Sequence, residues 1–251
     1  MSAPRLELDV LTLFPEMLTA VSDYGVSGRA LDRGLASLQV WNLRDFTTDN
    51  YRTVDDRPYG GGPGMVMLAE PVALAIQSAR ERQKLAGVAA PHVVYLAPHG
   101  RRLDHALVMA LLSRQGLVLL AGRYEGVDQR VLDSEVDETV SIGDYVLSGG
   151  ELPVMVLIDA LLRQLPGALG DSQSAAEDSF VDGLLDYPHY TRPEVWRGQP
   201  VPAVLTGGDH ARIRQWRHRQ SLLRTAALRP DLLADRGTSD EELKLLAKEV
   251  R

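Results

Sequence analysis

Short apolar runs alternate with longer helical stretches along much of the chain, and this alternation restricts the fold more than any other feature of the sequence. The apolar runs are short and rich in Val and Leu, as buried parallel strands usually are. Strands separated by helices are typical of a mostly parallel sheet with helices on its faces. The predicted strands are Leu38–Leu43, His92–Ala97, Gly116–Ala121 and Glu138–Ile142, and the predicted helices are Ala69–Leu85, Asp104–Ser113 and Glu151–Leu165. We therefore expect an α/β fold.

The N-terminal segment has a different pattern. Leu6, Leu8 and Val10 alternate with charged residues, which predicts a strand with one exposed face. Pro15 then stands at a position typical of a helix start, and the predicted helix continues to Asp23.

Size and composition exclude several kinds of site. The chain has 251 residues, 45% of them hydrophobic, which suits one large α/β domain and a smaller one. It has no cysteine, so disulfides, thiolate metal sites and cysteine nucleophiles are excluded. Its six histidines lack the spacing of helical metal ligands, and no Gly-x-Ser-x-Gly elbow is present. We therefore expect neither a structural metal nor a covalent enzyme intermediate.

The N-terminal residues do not resemble a signal peptide. Arg5, Glu7 and Asp9 interrupt the region where an apolar core would be required. No later apolar run has the length of a membrane span. We expect a soluble, cytoplasmic protein.

Three glycine-bearing loops follow predicted strands and end at Gly100, Gly126 and Gly150. If the strands are neighbours, the loops lie side by side, because the carboxyl ends of parallel strands meet at one edge of the sheet. Each loop alone is a weak signal, since turns between strands and helices commonly carry glycine. Together they predict a cofactor pocket lined by backbone groups and by three tyrosines, Tyr95, Tyr124 and Tyr145.

A polar, glycine-rich stretch, residues 44–67, interrupts the alternation. Its four glycines could cradle a phosphate or let the backbone approach a substrate. It is not a P-loop, because no Lys-Ser or Lys-Thr follows, and it lacks the G-x-G-x-x-G spacing of dinucleotide-binding loops. A flexible surface loop explains the same composition equally well.

Charge is distributed unevenly. The formal net charge of −7 argues at face value against a nucleic-acid partner, yet residues 210–230 contain six arginines and no acid. Such a block is typical of a phosphate-binding face, and a solvated helix whose arginines cover apolar surface is the alternative. At about 100° per residue, three of the arginines lie within roughly a quarter turn of one another, namely Arg214, Arg217 and Arg224. The apolar stripe expected to pack inward beside them is Ile213, Trp216, Leu223 and Ala227.

The C-terminal third is also rich in acids. Asp178, Asp182 and Asp186 are four residues apart, so on a helix they would share one face, although Asp178 could instead be a helix N-cap. The last part of the chain predicts helices, with Asp209 as a cap and Pro230 as an interruption.

Four long motifs occur along the chain. They are RPYGGGPGM (57–65), GRYEGVDQR (122–130), SIGDYVLSGGELP (141–153), and EDSF (177–180) followed by PHYTRP (188–193). In this order they resemble the motifs of bacterial tRNA (guanine-N1)-methyltransferases, which modify guanosine 37 beside the anticodon. The resemblance extends over nearly the whole chain, from Leu-Phe-Pro-Glu at 13–16 to Gln-Ser at 220–221.

The resemblance implies a fold that the pattern of strands and helices could not provide. Members of the family are SPOUT methyltransferases, in which a mostly parallel α/β sheet contains a deep trefoil knot, an exception to the rule that chains stay unknotted. The knot would lie within about Tyr95–Gly150. A smaller, all-helical C-terminal domain would follow. The implied domains are a knotted cofactor-binding domain at 1–168, a flexible linker at 169–177 and a helical tRNA-binding domain at 178–251.

The resemblance also implies that S-adenosylmethionine binds in the pocket formed by the three loops. Gly149 and Gly150 are expected where an added side chain would enter the space of the ligand. Ala97, His99 and Tyr187 depart from the residues common in the family, which are Ser, Gln and Cys. The implied cofactor contacts are Tyr95, Pro98, Gly100, Gly122, Tyr124, Glu125, Gly126, Ile142, Gly143, Tyr145, Leu147, Gly149, Gly150 and Pro153.

The implied chemistry assigns two catalytic residues. Guanine N1 is a poor nucleophile until it loses its proton, so a base is required, and Asp178 matches the base of the family. The loss of the proton places negative charge on O6, which Arg163 would stabilise. Magnesium is a further implied participant with the substrate, with Glu125 as a contributor. The arginines Arg214, Arg217 and Arg224 would bind tRNA.

Members of the family are homodimers with the active site between subunits. A flexible linker before Asp178 would let its carboxylate reach the cofactor pocket of the partner. The expected partners are therefore tRNA and a second copy of the chain. No association with a membrane is expected. Two other functions remain open: a regulator that binds S-adenosylmethionine or a nucleotide without catalysis, and a structural RNA-binding protein. The first predicts that Asp178 and Arg163 are replaceable, and the second that the loop glycines are.

Overall fold

The computed structural model describes residues 5–170 and 177–247 of the chain. The chain divides between residues 172 and 173 into two compact units. The predicted linker spans 169–177, and its residues 171–176 lie outside the described part of the chain.

The first unit contains a five-stranded sheet in which all neighbouring strands run parallel. The strands are β1 (Leu6–Thr12), β2 (Ala36–Asn42), β5 (His92–Arg102), β6 (Gly116–Ala121) and β7 (Glu138–Ser141). Their spatial order is β2-β1-β6-β5-β7. A separate antiparallel pair is formed by β3 (Asp55–Asp56) and β4 (Val66–Met67). The α/β fold with a parallel sheet is thus confirmed.

The helices of the first unit cover both faces of this sheet. They are α1 (Thr19–Ser22), α2 (Gly25–Asp32), α3 (Ala69–Leu85), α4 (His105–Leu112), α5 (Gln129–Glu135) and α6 (Glu151–Leu162), with 3₁₀ turns at Pro15–Leu18 and Leu43–Phe46. The predicted bounds of α3 are confirmed. Helix α4 begins after its cap Asp104, whose carboxylate accepts the Leu107 N–H at 2.7 Å. Helix α6 ends three residues before the predicted Leu165, and the segment predicted as one helix from Pro15 is a 3₁₀ turn followed by α1.

Alternate residues of the central strands contribute to two separate apolar cores. On β6, Leu117 and Leu119 belong to the core that contains α6, whereas Val118 and Leu120 belong to the core that contains α3. Because both faces are covered, β6 is a continuous apolar run that is entirely buried.

The prediction of a half-exposed β1 is wrong, because every residue of this strand is buried. β1 lies between β2 and β6, so its charged side chains point into the protein and require partners. The Asp9 carboxylate accepts hydrogen bonds from Arg82 Nη2 at 2.6 Å, Gln83 Nε2 at 2.7 Å and Trp41 Nε1 at 2.6 Å. Arg82 also pairs with Glu7 at 2.9 Å. The alternation of charges in this strand reflects a buried ion-pair network rather than solvent exposure.

Strand β5 continues beyond the predicted end at Ala97. It pairs with β7 up to Leu96, and pairing resumes at Arg101 after a shift in register. Residues 97–100 therefore form a bulge within the strand, whereas the sequence predicted a loop between a strand and a helix.

The second unit is mainly helical. Its helices are α7 (Ala203–Thr206), α8 (His210–Leu228), α9 (Pro230–Arg236) and α10 (Asp240–Ala247). The predicted cap Asp209 is confirmed, since its carboxylate accepts the N–H groups of Ala211 and Arg212, and Pro230 begins a new helix as expected. The expectation of an all-helical unit is wrong in one respect, because Val195–Trp196 (β8) and Gln199–Pro200 (β9) form a small antiparallel hairpin.

The three acids at four-residue spacing do not lie on a helix. Residues 177–186 form turns, and Phe180 and Gly183 both have positive φ, at 78° and 79°, which a right-handed helix does not allow. Asp182 instead accepts the Leu184 N–H within its own turn, at 3.1 Å. Asp178 is likewise not a helix cap.

No helix within the described residues is both long and apolar enough to cross a membrane.

Candidate active site

The loops that follow β6 and β7 and the bulge of β5 surround one cavity at the carboxyl edge of the sheet. This is the position at which open α/β sheets commonly bind small molecules, because backbone groups there are not used by the sheet. The cavity brings together every predicted cofactor residue except Gly100. Its other lining residues, which were not among the predicted contacts, are Leu96, Ala97, Arg123, Ser141, Val146 and Ser148.

Gly100 is required for packing and does not line the cavity. A Cβ atom built on it would lie 2.5 Å from the backbone nitrogen of Val140 in β7. The glycine therefore allows the bulge of β5 to lie against β7.

Gly150 holds the second loop against the end of β6. Its N–H donates to the carbonyl of Gly122 at 2.8 Å, and a Cβ atom there would lie 2.7 Å from both Ala121 Cα and Gly122 N. Its φ is −79°, so the position requires small size rather than an unusual backbone conformation. At Gly150 the two loops thus meet backbone against backbone.

Gly149 has a different neighbour from the one expected. A Cβ atom on Gly149 would meet the Arg123 side chain, with Cδ 2.6 Å away. The space beside Gly149 is therefore occupied by the Arg123 side chain, a neighbour that the sequence did not predict, although Gly149 also lines the cavity.

Arg123 connects the loops that follow β6 and β7 to the N-terminal part of the chain. Its Nε lies 2.9 Å from Oε2 of the fully buried Glu151, in an ion pair that is not aligned as a hydrogen bond. The Thr12 hydroxyl donates to the other Glu151 oxygen at 2.8 Å, and the guanidinium lies over the Phe14 ring, 4.5 Å from its centroid. Glu151 also opens α6, where an acid is favourable in the first turn. The Arg123–Glu151 ion pair thus joins the loop after β6 to the start of α6, where the second loop ends.

The tyrosines of the cavity are held in different ways. Tyr95 is almost completely buried, and burial raises the pKa of its hydroxyl. Tyr124 is half-exposed and adopts a φ of 60°. Burial, followed by its hydrogen bond with Asp55, raises the pKa of Tyr124, so its hydroxyl keeps its proton near neutral pH. The ring of Tyr145 covers Gly143, whose missing side chain leaves the necessary space.

The glycine-rich loop contacts the loop that follows β6 at one end. Gly60, Gly61 and Gly62 all have positive φ and no neighbours near a built Cβ, whereas a Cβ on Gly64 would collide with the Glu125 side chain. The Glu125 N–H donates to the Met65 carbonyl at 2.9 Å. This contact places the Glu125 side chain between the glycine-rich loop and the cavity.

The two predicted catalytic residues belong to different units. Arg163 is the C-cap of α6 in the first unit. Asp178 lies in the second unit, beside a small cavity. The other residues that line this cavity are Glu177, Asp182, Leu184, Leu185, Asp186, Tyr187, Arg214, Arg217, His218 and Ser221.

Helix α8 carries the three predicted tRNA-binding arginines in different environments. Arg214 and Arg224 are exposed, and Arg224 donates to the Asp186 carbonyl at 3.3 Å. Arg217 is half-buried and pairs with Glu177, with Nη1 3.7 Å from Oε2. Two of the three arginines thus have partners within their own unit.

The predicted inward stripe of α8 is partly wrong, because Ala227 is exposed. The buried face instead contains Ser221, Leu222 and Thr225. Thr225 fits there because its hydroxyl donates to the Ser221 carbonyl at 2.6 Å and accepts the Leu185 N–H at 2.9 Å. A hydrogen-bonded threonine therefore occupies part of the face that the helical pattern assigned to apolar residues.

Among the described residues, no group of three or more His, Asp or Glu side chains is arranged to hold a metal ion.

Comparison with known proteins identifies what the chain resembles. A family model described as tRNA (Guanine-1)-methyltransferase TrmD matches residues 6–235. The chain is 62% identical over 240 residues to a tRNA (guanine-N(1)-)-methyltransferase of Methylobacillus flagellatus, covering 96% of the chain and 91% of the relative. It is also 62% identical over 243 residues to the protein of the same name from Chromobacterium violaceum, covering 97% and 95%. The corresponding protein of Nitrosospira multiformis is 61% identical over 243 residues, covering 96% and 95%.

Proposed function

Because the chain belongs to the tRNA (guanine-1)-methyltransferase family, we propose that it transfers a methyl group from S-adenosylmethionine to N1 of guanosine 37 in tRNA. The observation that carries this proposal is the match over residues 6–235, which includes both the cofactor loops and the segment around Asp178. An enzyme of this kind works where tRNA is processed, so we expect it in the cytoplasm.

S-adenosylmethionine would bind in the cavity at the carboxyl edge of the sheet. The fit rests on the close backbone approach at Gly150 and on the mixture of backbone groups, tyrosine rings and apolar side chains that line the cavity. When bound, the cofactor supplies an electrophilic methyl group on its sulfonium. The loops bind and orient it, and the Arg123–Glu151 pair keeps the loops in place.

In the proposed reaction, Asp178 removes the proton from guanine N1, so that the ring nitrogen becomes nucleophilic. Arg163 stabilises the negative charge that develops on O6. No residue forms a covalent bond to the substrate. A role for magnesium, with Glu125 as its contributing carboxylate, is a separate proposal. Chelation that leaves the methylation rate unchanged would exclude it.

Helix α8 is the proposed tRNA-binding element. Arg214 and Arg224 are exposed and lie in a block without acids, which favours contact with phosphates.

We further propose that the first unit contains the trefoil knot of the SPOUT fold. The order of strands supports it, because β5 lies between β6 and β7 and the chain after β7 returns to the end of β6. The hydrogen bond from Gly150 to Gly122 marks this return.

We also propose a homodimer in which Arg163 of one subunit works with Asp178 of the other. Mixed dimers that combine Arg163→Ala with Asp178→Asn would test it. A shared site collects both changes in one pocket and leaves the second intact, so up to about half the activity should return. A verified heterodimer as inactive as both parents would exclude sharing.

The experiment that tests the activity uses purified protein, S-adenosylmethionine and two tRNA transcripts that differ only in G37 or A37. We expect 1-methylguanosine in the first product and no methylation of the second. Binding of S-adenosylmethionine without any methylated product would instead favour the regulator. Binding of tRNA without binding of S-adenosylmethionine would favour a structural RNA-binding protein.

A further inference from the structure

Two hydrogen bonds hold the residues on either side of Asp178. They join Glu177 and Ser179 to the short segment that contains Asp186 and Tyr187. On one side, the Tyr187 hydroxyl donates to Oε2 of Glu177 at 3.1 Å. On the other side, the Ser179 hydroxyl oxygen accepts the Asp186 N–H at 3.0 Å. Residues 177 and 179 are thus each bound to one of two consecutive residues, and the backbone of Asp178 is held between them.

Arg217 strengthens the first of these bonds. Its guanidinium lies over the Tyr187 ring, 4.7 Å from the centroid, and its Nη1 lies 3.7 Å from the same Glu177 oxygen that accepts the Tyr187 hydroxyl. One arginine therefore contacts both partners of the bond. A cation over an aromatic face and beside a carboxylate is favourable in both contacts.

The same geometry makes Arg217 a poor phosphate ligand. Its side chain is 39% exposed, and its Nε is buried without a hydrogen-bond partner among the described residues. The contacts with the Tyr187 ring and the Glu177 carboxylate compete with any contact between this guanidinium and a phosphate. The exposed Arg214, on the same helix, forms no hydrogen bond, ion pair or ring contact with residues 177–187 among the described contacts.

Tyr187 is suited to remain the donor. Burial, followed by the hydrogen bond to Glu177, raises the pKa of its hydroxyl, so the proton stays on the phenol near neutral pH. The His189 ring packs at 4.6 Å between centroids and restricts the tyrosine ring further.

We propose that Glu177, Tyr187 and Arg217 form a clamp that positions Asp178 for proton removal, and that Arg217 acts through this clamp rather than by binding a tRNA phosphate. The inference rests on the proposed function, in which Asp178 is the base. The three clamp residues are positioning residues, since none of them is required to touch the guanine. Small errors in the position of a reacting group are costly, with an error of about 1 Å reducing rates by roughly 100-fold.

The test compares single-turnover methylation at saturating S-adenosylmethionine and tRNA with the dissociation constant for tRNA. Arg217→Gln removes the cation, and Tyr187→Phe removes only the hydroxyl while keeping the ring. Arg212→Gln is the matched control, because Arg212 is exposed on the same helix and only its backbone N–H has a described contact. Asp178→Asn is measured in parallel to test the base itself.

We expect Arg217→Gln to lower the saturated rate by about 10-fold or more, with tRNA affinity within about twofold of wild type. Tyr187→Phe should lower the rate by about five- to tenfold, the usual scale of one hydrogen bond. Arg212→Gln should leave the saturated rate unchanged. A loss of rate at constant affinity separates positioning from general disorder, which would weaken both.

Saturated rates within twofold of wild type for both clamp variants, with an inactive Asp178→Asn, would overturn the clamp and leave the proposed function intact. A weaker tRNA affinity of Arg217→Gln at a normal saturated rate would show a phosphate contact and would also overturn it. A normal rate for Asp178→Asn would instead remove the base on which the proposed function depends.

Discussion

At the scale of single residues, Gly150 shows how closely the two loops of the proposed cofactor site depend on the absence of a side chain. Its backbone lies against the end of β6 at a distance that no Cβ atom tolerates. The contact is with backbone atoms, which cannot rotate away as a flexible side chain can. Any larger residue must therefore displace one loop from the other.

Replacement of Gly150 by alanine should weaken the binding of S-adenosylmethionine by about 10-fold or more and lower the melting temperature. Overpacking of this kind typically costs about 1–3 kcal/mol, and about 1.4 kcal/mol corresponds to tenfold in affinity. Calorimetry and thermal unfolding measure the two effects. Gly170→Ala is the matched control, because a Cβ there has no neighbour within 4 Å and φ is not positive. Wild-type affinity and stability of the Gly150 variant would show that the loops do not need this contact.

The sequence predicted some residues of the site and missed others. The glycine-bearing loops could be predicted because glycine is common where backbone approaches backbone. Arg123 could not, although it stands inside one of the motifs. Its role depends on Glu151 and Thr12, which the fold brings together from distant parts of the chain. Local spacing in the sequence does not indicate contacts between residues that are so far apart in the chain.

At the scale of elements, the polar–apolar pattern of a strand or helix does not by itself show whether its polar face is exposed or buried, because that depends on the neighbouring elements. The alternation of charged and apolar residues in β1 indicated one exposed face, yet Arg82 of α3 neutralises the buried Asp9 and Gln83 donates a hydrogen bond to it. The period of two was correct for a strand, and only the solvent exposure was wrong. Helix α8 shows the same limit, because its buried face contains Thr225, whose hydroxyl accepts the Leu185 N–H, a partner that only the folded unit supplies.

Helix α8 should contribute to tRNA affinity mainly through Arg214 and Arg224. Replacing both with Gln should reduce the slope of log affinity against log salt by about 1–2, since each lost phosphate contact removes about 0.9. Binding measured between low and moderate salt gives the slope. Affinity for S-adenosylmethionine should not change, because the proposed cofactor cavity lies in the first unit. An unaltered slope would favour a solvated helix that takes no part in binding.

At the scale of the whole molecule, alternation of strands and helices was sufficient to predict the parallel sheet and most helix positions. It could not predict the strand order, in which β5 separates β6 from β7, because strand order depends on contacts between distant segments. The conformation of the segment around Asp178 could not be predicted either. Its acids fit a helical spacing, but residues with positive φ at Phe180 and Gly183 turn the chain instead. Only the resemblance of whole motifs connected this segment to a reaction.

The account as a whole depends on one carboxylate performing one step of chemistry. Asp178→Asn keeps the size of the side chain and removes the base, so it separates catalysis from binding. Asp235→Asn is the matched control, because Asp235 is an exposed aspartate of the same unit without a described partner.

The most direct measurement is therefore single-turnover methylation of tRNA by Asp178→Asn, with the affinities for S-adenosylmethionine and tRNA determined on the same preparation. We predict that both affinities stay within a few-fold of wild type while the rate falls by roughly 100-fold or more, the usual scale of a general base. The Asp235 variant should keep the wild-type rate. A near-normal rate of 1-methylguanosine formation by Asp178→Asn would contradict the account.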